Sequence, residues 1–131
     1  MRSLEVILLS RTGREPQALA LAREAITGNI YDYDLVNSAF FLGWRAGDFA
    51  FAEQAMQLRM KDWPETRAAG WLQIGNMYAA GAKDEGKALA AFKQALDAAS
   101  VAERPLLLEK VAPEYRSRLG FAAPQTSASK G

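Results

Sequence analysis

The chain has 131 residues, half of them apolar and 24% charged, with a net charge of +1; that suits one domain with a packed core and argues against wholesale disorder. It contains no cysteine and no histidine, which excludes thiol nucleophiles, Ser-His-Asp machinery, histidine proton shuttles, disulfides and the usual zinc ligands. The near balance of 16 basic and 15 acidic side chains gives no reason to expect nucleic acid or an anionic membrane as a partner.

At the N-terminus, Met1-Arg2-Ser3 precedes an apolar run from Leu4 to Leu9. Glu5 interrupts the run, Arg11 and Arg14 follow it, and no small-residue cleavage site is present, so no signal peptide is predicted. No stretch approaches about 18 apolar residues, so no membrane-inserted helix is expected. The compartment stays open: cytoplasm is the default, and the periplasm the alternative if the chain is released from a longer protein. Leu4, Ile7 and Leu8, with Val6 and Leu9, make this first helix apolar on nearly every side, which is the pattern of a buried helix. An assembly surface is therefore expected at Leu4, Ile7 and Leu8, meeting either a second copy of the chain or a preceding helix.

The remainder reads as all-α. Ala, Leu, Glu, Gln, Lys, Arg and Met fill the segments between breaks at Thr12-Gly13, Gly28-Asn29, Gly47-Asp48, Trp63-Pro64, Gly81 to Gly86, Ser100, Pro113 and Gly120. No segment alternates with a period of two, so no strand is predicted. Short turns between helices of about 10–16 residues give antiparallel helical hairpins.

The hairpins repeat. In the third, Trp71, Ile74, Gly75 and Tyr78 lie on the first helix (helix A), and Ala88, Phe92 and Ala95 on the second (helix B). This pattern resembles the tetratricopeptide repeat, a helix–turn–helix unit of about 34 residues. One residue is extra, because Tyr78 to Ala88 spans ten positions where the pattern has nine. Asp84, Lys87 and Ala88 are similar to the helix-B entry of the related Sel1-like repeats. In the second hairpin, Gly47-Asp48-Phe49 looks like the family's turn, with Val36, Ala39, Phe40 and Gly43 before it and Ala52 and Met56 after it; Trp44 supplies the volume that Gly43 lacks. In the first, Gly13 lies at the turn and Ala18, Ala22 and Ala25 at the helix-B positions. The resemblance implies an α-α superhelix over residues 1–120, with units at about 1–32, 33–66 and 67–100. A capping helix follows at about 103–119, with Pro105 in its first turn and Pro113 kinking or ending it, and then a flexible tail at 121–131.

Two other motifs do not carry chemistry. Gly81 to Lys87 satisfies Gly-x4-Gly-Lys, but Ala88 stands where a phosphate-binding loop needs Ser or Thr, a helix precedes it instead of a strand, and Asp84 and Glu85 would repel phosphate. The carboxylate pairs Asp32/Asp34, Asp84/Glu85 and Glu103/Glu109 lie at turns and polar helix faces, not across a cleft. No enzymatic activity and no cofactor is therefore expected.

The helix-A surfaces of tetratricopeptide arrays line a concave face that commonly binds extended peptides. The matching positions here are Asp34, Asn37, Phe41 and Arg45 in the second unit and Leu72, Gln73 and Asn76 in the third. An Asn side chain can pair with a peptide backbone through a donor and an acceptor at once, and Arg45 can take a carboxylate. The family's carboxylate clamp needs several Lys or Arg with Asn, and only Asn76 and Arg45 approach it. The expected function is a scaffold or adaptor that binds a protein or peptide segment in this groove. The alternatives are a non-catalytic accessory domain of a larger enzyme or assembly, membrane-anchored or not, and a self-associating structural module.

Overall fold

A computed structural model describes residues 2–111 and 113–119, with the side chains of residues 2, 3 and 117 left aside. Helices account for 83% of it, and the described residues contain no strand. The fold is all-α and helical-repeat-like, as the sequence indicated. The chain divides into two units, Met1–Pro64 and Glu65–Gly131.

The first unit holds α1 (Arg2–Arg11), α2 (Glu15–Thr27), α3 (Tyr33–Ala46) and α4 (Phe49–Asp62). α1 pairs with α2, α3 with α4, and α3 also packs on α1 and α2. The core between them is built from Val6, Ala18, Ala22, Ala25, Leu35, Val36, Ala39, Leu42, Phe51 and Ala55. The alanines on α2 and α4 sit three or four residues apart, so each helix lays one smooth stripe against its neighbour.

The first three helices end in the same way. After α1, the N–H of Gly13 donates to Ser10 O and that of Arg14 to Leu9 O. After α2, Asn29 donates to Ile26 O and Ile30 to Ala25 O. After α3, Gly47 donates to Trp44 O and Asp48 to Gly43 O. Each is a Schellman ending, and its pivot is left-handed: φ is 77° at Gly13, 60° at Asn29 and 80° at Gly47. After α2 and α3 an aspartate starts the next helix, whereas α2 itself starts at Arg14 without a side-chain cap. Asp32 accepts from the N–H of Leu35 at 2.8 Å, and Asp48 from that of Phe51 at 3.2 Å.

A 3-10 turn (Pro64–Thr66) follows at the boundary, and the second unit continues with α5 (Arg67–Asn76), a π-helical turn (Met77–Ala82) and α6 (Glu85–Ala98). The sequence places a break from Gly81, but the helix runs through Gly81 to Ala82. The extra residue of this hairpin explains the difference: it is taken up as a π turn, the usual form of a one-residue insertion in a helix. The ending is correspondingly one residue longer than the other three, with the N–H of Asp84 donating to Tyr78 O at 2.9 Å. Lys83 takes the left-handed position, with φ of 58°, and Asp84 caps α6 by accepting from the N–H of Lys87.

Beyond α6, Ser100 and Glu103 form a reciprocal capping box, Ser100 N–H to Glu103 Oε1 at 2.9 Å and Glu103 N–H to Ser100 Oγ at 3.3 Å. The expected capping segment follows in two pieces, α7 (Arg104–Lys110) and α8 (Pro113–Arg116), with a 3-10 turn at Ser117–Leu119. Pro105 lies in the first turn of α7. Arg104 Nε donates to Leu96 O at 3.1 Å, which ties α7 to the end of α6. Arg116 reaches back from α8 to the carbonyls of Glu109 and Val111. Tyr115 and Leu119 are buried, and the Tyr115 ring meets Phe92 edge-on at 5.4 Å. The tail expected at 121–131 lies outside the described residues.

Two glycines mark how closely the hairpin helices approach. A Cβ on Gly43 would lie 3.0 Å from both the Cβ and the N of Ala52, and one on Gly75 would lie 2.5 Å from the Phe92 ring. At Gly86, in the first turn of α6, it would meet only Asp84 Oδ1 at 3.7 Å. Urea unfolding should therefore rank three alanine substitutions: Gly75→Ala and Gly43→Ala each destabilise by about 1–3 kcal/mol through overpacking, while Gly86→Ala stabilises by roughly 0.5–1 kcal/mol through helix propensity. Equal effects at Gly75 and Gly86 would contradict the close helix approach.

Candidate binding cleft of the first unit

α1 and α3 cross with a cleft of about 210 Å³ between them, lined by Ile7, Ser10, Arg11, Asn37, Ser38, Phe41, Leu42 and Arg45. The spacing 38, 41, 42, 45 is one face of α3, and 7, 10, 11 one face of α1, so the cleft follows from helical periodicity on both walls. Ile7, Phe41 and Leu42 give it an apolar part, and Ser10, Arg11, Asn37, Ser38 and Arg45 a polar one. Phe41 stacks on Trp44 with the rings 6.3 Å apart and meets Phe40 edge-on at 5.0 Å, which holds the aromatic wall in place.

Three of the expected groove residues, Asn37, Phe41 and Arg45, thus come together, and Ile7, expected on an assembly surface, joins them. Arg45 is already engaged: its Nε donates to Glu15 Oε2 at 2.9 Å, and its Nη2 to Ser10 Oγ at 3.4 Å. Both side chains of the ion pair are more than two-fifths exposed, so the pair orients Arg45 more than it stabilises the fold. Asp34 is exposed on the first turn of α3 and does not line the cleft. Leu4 and Leu8 are 58% and 60% exposed on α1, whereas Val6 is fully buried, so α1 shows one buried face and one open apolar face.

The other candidates belong to the second unit. Leu72 lines a separate cleft there, also about 210 Å³, with Ala68, Ala69, Leu106, Leu107, Glu103 and Lys110. Gln73 and Asn76 are half-buried on α5 and line neither cleft.

Arg59 was not anticipated. This α4 residue is 4% exposed, the one buried charged side chain among the described residues. Its Nη1 donates to Asn37 Oδ1 at 2.8 Å, its guanidinium lies 5.5 Å over the Tyr33 ring, and its Nε has no acceptor. The sequence did carry a signal. Counted from the aspartate or turn that opens each helix B, Ala25, Arg59 and Ala95 are equivalent, and Arg replaces alanine only here.

The three aspartates that end up as caps, Asp32, Asp48 and Asp84, are occupied by backbone N–H groups. No group of three or more potential metal ligands occurs among the described residues. Among the described residues no helix is long and apolar enough to cross a membrane. No protein-family model matches the chain, and neither a curated protein nor a solved structure is significantly similar to it.

Glu103, on the rim of the second cleft, has its carboxyl lowered from the ordinary glutamate value by the Ser100 backbone N–H and, second, by the Ser100 side chain. A lowered folded value means that the capping box stabilises α7 above the unfolded value near 4.5 and is lost as pH falls through the folded value. A carboxyl-detected NMR titration should place Glu103 below the ordinary glutamate value. Ser100→Ala should move it upward, and an unchanged midpoint would contradict the capping box.

Proposed function

We propose that this chain is a tetratricopeptide-like interaction module, without catalysis of its own, that binds a segment of another protein in the cleft between α1 and α3. The observation that carries the reading is the convergence of Asn37, Phe41 and Arg45, one face of a helix A, on a cleft that also takes in Ile7 and Ser10 of the preceding helix A. An aromatic wall with hydrogen-bonding groups at its rim suits one apolar side chain and the backbone or polar groups beside it. The repeat resemblance supports the same face, because helix-A surfaces are where such arrays take peptides. The hairpin anatomy supports the resemblance: left-handed pivots and aspartate caps recur at equivalent places, Gly47-Asp48 and Lys83-Asp84.

The open apolar face at Leu4 and Leu8 favours a second reading, an additional contact with a further copy or helix, compatible with an accessory role inside a larger assembly. The two readings separate experimentally. The partner should be retained by wild-type chain and lost at least tenfold by Phe41→Ala and by Arg45→Glu, both with unchanged helix content, while Leu4→Ser with Leu8→Ser keeps it. Retention by the cleft variants and loss by the leucine pair would move the function to α1. Asn76→Glu, in the second unit, tests whether α5 contributes.

A further inference from the structure

Arg59 determines which chemical groups the cleft shows to its occupant. A guanidinium carries donors only, so the atom of Asn37 facing Arg59 must be the amide oxygen. The 2.8 Å bond therefore turns the Asn37 amide nitrogen, with its two N–H donors, away from Arg59. An Asn held this way loses the ambivalence that an Asn otherwise offers. Around the same cleft, Arg11 and Arg45 line the wall and no carboxylate does. Glu15 lies beside it, bound to one edge of Arg45, which has other N–H donors left over. Arg11 and Arg45 in the wall and Arg59 behind Asn37 thus put three guanidinium groups at a cleft that no carboxylate lines. Arg59 adds to this field from a buried position, where its charge is poorly screened and meets no carboxylate among the described residues.

Resting on the reading of the cleft as the binding site, we infer that Arg59 is a positioning residue that fixes Asn37 as a donor, making the α1–α3 cleft a seat for the side-chain carboxylate of an acidic partner segment. The carboxylate is the acceptor that the Asn37 N–H groups and the free edges of Arg11 and Arg45 lack. Phe41 and Ile7 take the methylene stem of a glutamate beside it. A backbone carbonyl would satisfy Asn37 but not the uncompensated charge, which is why an acidic side chain is favoured over a neutral one.

The test titrates the 15N-labelled full chain with tetra-glutamate, tetra-glutamine and tetra-lysine peptides, each acetylated and amidated so that no terminal charge contributes. Tetra-glutamate should shift the Asn37 side-chain amide pair together with the Ile7 and Phe41 backbone signals, at a dissociation constant at least tenfold below that of tetra-glutamine. Asn37→Asp is the decisive variant. It gives Arg59 a carboxylate partner and turns a second acceptor oxygen toward the cleft, so it should raise the thermal midpoint while abolishing the tetra-glutamate response. Shifts at Ile7 and Phe41 with the Asn37 amide unmoved, or tetra-glutamine or tetra-lysine binding as well as tetra-glutamate, would overturn the role of Arg59 and leave the cleft as a binding site. Silence of every cleft signal with all three peptides would overturn both.

Discussion

The closeness with which two paired helices can pack is the constraint from which the rest of this structure follows. Helix B in each hairpin carries a stripe of small side chains, Ala18 and Ala22, Ala52 and Ala55, Ala88 and Ala91, all buried. Helix A answers with Gly43 opposite Ala52 and with Gly75 against the Phe92 ring, at separations that leave no room for a methyl group. Close packing of this kind is rich in dispersion contacts and intolerant of added volume. It also dictates the turns. Helices that close need a sharp reversal, and the left-handed pivots at Gly13, Gly47 and Lys83 supply it.

The helical hairpins were legible from sequence because they rest on local rules. Glycine and proline mark the breaks, and alanine at intervals of three and four residues marks the packed stripes. The long third hairpin was legible only as a count: one residue too many between Tyr78 and Ala88. Counting does not say where a surplus residue goes. The backbone decided it by widening the last turn of helix A into a π turn, so that the Lys83 pivot and Asp84 cap keep their relation to α6. The aspartates illustrate a second gap. Asp32 and Asp84 read as ordinary surface charges, yet each serves a backbone N–H three residues on. The signature was present in the sequence, an aspartate opening α3, α4 and α6, and carried local rather than catalytic meaning.

The candidate site was half legible for a different reason. Asn37, Phe41 and Arg45 follow from the helix-A register alone. Their neighbours Ser10 and Arg11 depend on how α1 crosses α3, which no local rule supplies. Arg59 lies further off still. A charged residue at a position that alanine fills in the other two hairpins is an exception to the packing rule above, and exceptions of that type are where function is expected to overrule stability. Burying a guanidinium without a carboxylate opposes folding, and its hydrogen bond to Asn37 and its place over Tyr33 offset only part of that. The acidic partner segment proposed above would supply the negative charge that Arg59 lacks among the described residues.

The proposed binding surface is the face of α3 that lines the cleft with α1. It is tested most directly by placing a photo-crosslinking benzoylphenylalanine in place of Phe41, and separately in place of the exposed Gln94 on α6, in cells of the source organism. The account predicts a discrete cross-linked species from position 41, mapping by mass spectrometry to an acidic segment of one protein, and none from position 94. Cross-links from position 94 with position 41 silent would contradict it.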